Sequence, residues 1–475
     1  MIKNKLLFER KFGFEVWEKE KIDKVSTFSE GYRSFLSRCK TEREVVDFVA
    51  EQADKRAYKC INTITGITKI AGNKIYSVNR GKSIILAVFG QKPIKEGVKM
   101  ILAHIDSPRI DLKTLPLYES EKLAWLKTQY YGGIKKYQWT SHPLAIHGVV
   151  VLENGQKINL TLGENDNEPV LTITDLLPHL AAKQMEKKLS EAVEGEEMNV
   201  VIGSRPITNS KFKIQNSKFN ESEKDMVKLG VLELLNKKYG ITEEDLVSAD
   251  LEIVPAGKAR DLGIDGSMIG GYGQDDRICA YSALQALFSV QKPKESILVV
   301  LVDKEETGSE SNTGALSNFI PDFISEMLFS EEGKHDENLL RDCLSQSKAI
   351  SADVTVAFDP DYKDVFDPLN TARLGAGIAL EKYTGRRGKS GTSEAPAEYV
   401  AEIRNIFNKN NVLWQTGGLG KVDLGGGGTI AMFLARYNMD VIDAGPAILS
   451  MHSPFEVSSK IDVYACYEAY KAFLA

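Results

Sequence analysis

The stretch ILVVLVDKEETGSESNTGA, Ile297 to Ala315, decides how the chain is read. Six aliphatic residues run without interruption into Asp303, Lys304, Glu305 and Glu306, then into glycines and hydroxyls. A short run with no polar alternation fits a strand covered on both faces, as in the sheet of an α/β protein. Its carboxyl end is where such sheets place ligand sites. If the chain stays extended there, adjacent side chains point in different directions, so one glutamate can bind a metal while its neighbour does other work. A solvated strand end is the plainer reading of the pair taken alone.

Working outward, SIILAVFG (Ser83 to Gly90) and GVKMILAHID (Gly97 to Asp106) read as two strands of one sheet. AISADVTVAF (Ala349 to Phe358) is a further apolar segment, and the last one ends in SMHSPFE (Ser450 to Glu456). Helices alternate with them. Thr41 and Glu44 form a capping-box pattern ahead of Val45, Val46, Phe48 and Val49, and a second helix is expected over Ile278 to Val290. The fold expected is α/β, a mixed sheet sandwiched by helices. The texture changes over about 107–254, where GVVVLENGQKINLTLG reads as a hairpin turning at Asn154-Gly155 and Lys/Glu-rich helical stretches follow. Residues 1–106 plus 255–475 are therefore read as one domain and 107–254 as an inserted, largely β module.

The bulk properties narrow the function. In 475 residues, 43% hydrophobic content is enough for a large core, and a formal net charge of −6 leaves no global basic field, so nucleic acid is not an expected partner. Five cysteines, odd in number and without CxxC spacing, argue against a disulfide framework and against a thiolate zinc site. The apolar run Leu6 to Phe8 is too short for a signal peptide, and no stretch is long enough to span a bilayer. A cytoplasmic protein without a membrane partner is expected.

Only six histidines occur, and His104 and His452 each follow an apolar run directly. His104 and Asp106 are two apart, so on an extended chain Asp106 faces the same way and can orient the imidazole. Asp275 and Asp276 stand ahead of a helix, where the plainer role is an N-cap; Asp353 alone is a turn aspartate. Together, His104, Asp275, the glutamate pair, Asp353 and His452 suit two zinc ions sharing one aspartate. Each ion would then have a histidine, a carboxylate and an open position for water, with the spare glutamate as general base. Cobalt or manganese suits the same donors.

At these residues the chain resembles the aspartyl aminopeptidase and aminopeptidase I family of dizinc exopeptidases, over nearly its full length. AHIDSPRIDLK is similar to the family's HxDSP segment, DKEETGSESNTGA to its paired-glutamate segment, ISADVTVAFDPDY to its SAD segment, and the stretch from GGGGTIAMFL to SMHS to its terminal one. The resemblance implies His104, Asp275 and Asp353 on one ion and Asp275, Glu306 and His452 on the other, with Asp106 behind His104 and Glu305 as the base. The family usually has Asp-Asn-Leu where this chain has Asp275-Asp276-Arg277, a triplet closer to glutamyl aminopeptidases. It also implies peptide substrates, a dimerisation role for 107–254, and a dodecamer built from dimers. There a histidine of the inserted domain, matched here by His179 in LLPHLAAK, reaches a neighbouring subunit's site; a surface histidine is the plainer reading.

Lys382 occupies the place of a pocket lysine that would select acidic first residues, but solvated loop charge is the plainer reading, and Asp/Glu, neutral and hydrophobic preferences all stay open. Gly425 to Gly428 lack the phosphate-loop pattern and instead suggest close backbone approach to the metal pocket or substrate. The function expected is a metal-dependent aminopeptidase. The alternatives are an N-acyl amino acid amidohydrolase and an inactive oligomeric peptide-binding scaffold.

Overall fold

Ser296–Val302 is a strand, and every residue of it is buried. Ile297, Val299 and Leu301 enter one apolar cluster, while Leu298, Val300 and Val302 enter another on the opposite face. Two-sided burial explains the missing alternation, and each such side chain contributes roughly 1.5–3 kcal/mol on leaving water. The computed structural model describes residues 6–61, 72–207 and 224–475.

This strand is internal to a nine-stranded mixed sheet. Its order is Lys59–Cys60, Lys74–Asn79, Ser83–Val88, Ser296–Val302, Val98–His104, Lys348–Ser351, Asp440–Gly445, Ile378–Glu381 and Trp414–Thr416. The four strands from Ser296–Val302 to Asp440–Gly445 run parallel, so their carboxyl ends share one edge. Helices Lys19–Arg38, Glu42–Asp54, Gln274–Ser289, Ala397–Lys409 and Lys460–Leu474 supply the cluster on one face; Phe319–Glu332 and Glu337–Gln346 supply the other. The expected helix at Thr41 carries the full capping box. The Thr41 hydroxyl accepts the Glu44 N–H at 3.2 Å, and Glu44 Oε2 accepts the Thr41 N–H at 3.1 Å.

The apolar segment 349–358 is not one strand. Lys348–Ser351 belongs to the large sheet and Thr355–Val356 to a separate five-stranded sheet, which leaves Asp353 in the break between them. Gly445 makes that crossing possible, because a Cβ there would lie 1.8 Å from the Asp353 carbonyl oxygen.

By contacts the chain divides into Met1–Ser107, Ala259–Met451 and Phe455–Ala475 as one unit, and Pro108–Lys258 with His452–Pro454 as the other. The second unit holds a seven-stranded antiparallel sheet. Its Leu144–Val151 and Lys157–Leu162 strands form the hairpin expected around Asn154-Gly155, in the register Val151 to Lys157. The Lys/Glu-rich helical stretches are largely absent among the described residues. Ala182–Met185 is a single turn and only Met226–Tyr239 is long. The reason lies in the pattern, since Leu176, Leu177, Leu180, Met185 and Leu189 are exposed and provide no buried stripe to stabilise a helix.

Thr41→Ala removes a cap from a helix that buries Val45, Val46, Val49 and Ala53. The expected loss is about 1 kcal/mol of stability, read as a lower urea midpoint at unchanged slope.

Candidate metal centre

Three neighbouring strand ends build the centre. His104 is the last residue of Val98–His104, Asp353 lies two residues past Lys348–Ser351, and Glu305 and Glu306 follow Ser296–Val302. Asp275 comes from the start of the helix Gln274–Ser289, where Asp275 and Asp276 have non-helical backbone. Neither aspartate caps that helix. Instead Glu456 Oε2 accepts the N–H groups of Gln274 (2.6 Å) and Asp275 (3.2 Å), and the Ser107 hydroxyl donates to the Asp275 carbonyl at 2.6 Å. Ser107 and Glu456 lie inside the AHIDSPR and SMHSPFE stretches, but their hold on the Asp275 backbone leaves no local mark in the sequence.

His104 Nε2 lies 3.1 Å from Asp275 Oδ1 and 3.7 Å from Asp353 Oδ1. Donor atoms bound tetrahedrally at 2.0–2.1 Å to one zinc ion would stand about 3.3 Å apart, so this buried N/O/O set fits such an ion. Donor atoms of His104, Glu305 and Glu306 also lie within 4.8 Å of one another.

The expected role of Asp106 changes in detail. His104 Nδ1 donates to the Asp106 carbonyl oxygen at 3.0 Å, whereas the carboxylate oxygen is 3.5 Å away. A carbonyl can only accept, which leaves Nε2 with the lone pair that a metal needs. The Asp106 carboxylate is used elsewhere, accepting the Glu305 N–H at Oδ1 (3.1 Å) and the Glu306 N–H at Oδ2 (3.2 Å). That pair of bonds overturns the expected extended chain. Lys304 sits at φ +71° and Glu305–Thr307 is a single 3₁₀ turn, so the two glutamates are presented by a curled backbone.

The charge balance points to a cation. Burial, followed by Asp353, Asp106 and Asp275, pushes the Glu305 carboxyl up to about 8 against the opposing pull of His104. Asp353 is also raised by burial. Burial drives His104 downward, but Asp106, Asp275 and Asp353 outweigh it and leave the ring well above its ordinary value. Carboxyls crowded in low dielectric cannot all ionise without a counter-charge, and a divalent ion supplies one. Asp276, fully buried, is held far above the carboxylate range by burial and by Asp353. Arg277, also buried, donates from Nη2 to the Lys40 carbonyl and from Nη1 to the Gly273 carbonyl.

Lys382 is on the surface with Nζ 3.3 Å from Glu394, a carboxylate that Lys389 also meets at 2.9 Å. Gly425 and Gly426 do approach backbone closely, but the backbone of Leu419 and Gly385, where an added Cβ would come within 1.9 and 2.1 Å of the carbonyl oxygens. In the second unit, His179 is exposed, and His452, at φ +64°, pairs Nδ1 with the Gly133 carbonyl at 2.9 Å. As at His104, a carbonyl can only accept, so Nε2 keeps the ring's lone pair. His147 is buried against Glu164 at 3.0 Å.

Fold and donor set together define a metallohydrolase with its site at the carboxyl edge of a mixed α/β sheet. The family model of aminopeptidase I zinc metalloproteases (M18) matches residues 35–474, and the chain belongs to that family. A probable M18 family aminopeptidase 1 of Clostridium acetobutylicum is 49% identical over 473 residues, 99% of each chain. The crystal structure of an M18 aminopeptidase from Thermotoga maritima superposes with a TM-score of 0.91 at 45% identity, covering 98% of this chain and 99% of that one. A Saccharomyces structure described as an aminopeptidase dodecamer shares the fold at a TM-score of 0.75 and 21% identity, covering 95% and 97%. The protein is a zinc metallo-aminopeptidase, a hydrolase.

Gly445→Ala is expected to push the Asp353 backbone out of the centre. Zinc retention against a chelator should fall at least tenfold while the far-UV spectrum stays native.

Proposed function

We propose that this aminopeptidase works with two divalent ions, zinc or, by availability, cobalt or manganese. In this reading His104, Asp275 and Asp353 hold one, Asp275, Glu306 and His452 hold the other, and Glu305 is the general base. The observation that carries it is the His104, Asp275 and Asp353 donor set with the Glu305 carboxyl beside it, in a pocket rich in negative charge. Bound metal supplies Lewis acidity toward the scissile carbonyl and makes a water easier to deprotonate. Glu305 takes the proton from the attacking water and returns it to the leaving amine. Asp106 keeps Glu305 and Glu306 in register with His104 by accepting both their N–H groups. The free α-amine of a peptide substrate suits a carboxylate-lined site and disfavours the N-acylated substrates of an amidohydrolase.

In this reading most of the catalytic residues come from the unit that carries the large sheet, and self-association belongs to the unit around 108–258. Its support is the exposed apolar stretch Leu176, Leu177, Leu180, Met185 and Leu189, since patches of this kind mark protein contacts. The solved relative described as a dodecamer makes twelve copies the number to test. His179 lies inside that stretch, and its exposure there supports a role in a neighbouring subunit's site.

Glu305→Gln is expected to lower kcat at least 10³-fold with zinc content unchanged. Equal loss of zinc and activity would make Glu305 a ligand and sink its role as base. Leu180→Asp with Met185→Asp should dissociate the assembly, read by light scattering against a wild-type mass twelve times the 52.6 kDa chain.

A further inference from the structure

The loop that presents Glu305 and Glu306 is closed at its neck by a residue outside the metal set. Asp303 is fully buried at the end of the strand. Its Oδ1 accepts the Lys304 N–H at 2.8 Å and its Oδ2 accepts the Thr313 hydroxyl at 2.9 Å. Its own N–H donates to the Thr313 carbonyl at 3.2 Å. One residue therefore binds both ends of the 303–313 segment. Thr313 is itself buried, and its hydroxyl also pairs with Ser311 Oγ at 2.9 Å.

The interior of the loop shows why a closed neck is needed. Lys304 at φ +71° and Ser309 at φ +63° are both in the left-handed region without being glycine. Such residues are strained and persist only where the surroundings over-determine them. The Lys304 carbonyl accepts the Ser309 N–H at 2.7 Å, and the Glu305 carbonyl accepts the Gly308 N–H at 2.9 Å. Those bonds shape the curl but tie it to nothing outside itself. Asp106 grips Glu305 and Glu306 from one side, and Asp303 fixes the residue before them from the other.

We infer that Asp303 is a positioning residue for Glu305, acting through the Lys304 backbone and the Thr313 hydroxyl. Released at the neck, Lys304 relaxes toward negative φ and the Glu305 carboxylate turns away from the His104 group. Since a displacement near 1 Å costs roughly 10²-fold in rate, the effect belongs in kcat. The inference rests on the reading of Glu305 as base.

The test compares Thr313→Val, Asp303→Ala, Asp303→Asn and the Ala/Val double variant in the zinc-loaded full-length protein, with Glu305→Gln alongside. Asparagine can accept the Lys304 N–H and donate to the Thr313 hydroxyl, so it should restore most of what alanine loses. The expected result is a fall in kcat of about 10-fold for Thr313→Val and about 100-fold for Asp303→Ala. KM, zinc content and assembly mass should hold, and the double variant should be no worse than Asp303→Ala. Losses that track zinc content or melting temperature instead of kcat, or an asparagine variant as slow as alanine, overturn it. If Asp303→Ala does not fold, Thr313→Val and Asp303→Asn decide. A Glu305→Gln enzyme that still turns over sinks base and neck together, whereas an inactive one beside an unaffected Thr313→Val sinks the neck alone.

Discussion

Electrostatic crowding at the carboxyl edge of the large sheet is the constraint from which the rest follows. Asp275, Asp353, Glu305 and Asp106 surround a single buried imidazole, and burial raises the Asp353 and Glu305 carboxyls. Such an arrangement is unfavourable as a purely protein structure. A divalent cation bound there would replace the missing positive charge more compactly than a lysine or arginine could.

Holding those groups together against repulsion falls to hydrogen bonds from residues outside the donor set. Glu456, carried by Glu456–Ser459 in the five-stranded sheet, accepts two N–H groups ahead of the helix that bears Asp275. Ser107 takes the Asp275 carbonyl. Asp106 links His104 to the glutamate turn by using its carbonyl on one and its carboxylate on the other. Glu456 comes from one chain segment and the adjacent Asp106 and Ser107 from another, so the centre is rigid only once the sheets and helices have packed. The absent side chain of Gly445 contributes as much as any of them, since it lets the Asp353 backbone pass.

The metal-ligand candidates were legible because each stands at a boundary between an apolar run and a turn, and boundaries between strand and loop leave a clear mark in sequence. Lys382 was harder to read. Its place in the chain suggested a pocket cation, but pairing with Glu394 depends on how a surface loop folds back, which no local pattern records. The glutamate turn shows the same limit. An extended continuation of the strand was the simplest local expectation, and the carboxylate of Asp106, 199 residues away from Glu305, holds the curled turn found instead.

By itself, the sequence determined the sheet, its two-sided burial, the helix capped at Thr41, the hairpin at Asn154-Gly155 and the residue types available for metal binding. All of these depend on neighbours a few positions apart, where periodicity and turn chemistry act. The tertiary structure decided which atom of Asp106 meets His104, how Asp303 and Thr313 close the loop under Glu305, and why Gly445 has no side chain. Those outcomes depend on distances between segments far apart in the chain, and such distances exist only after the core has brought the strand ends together.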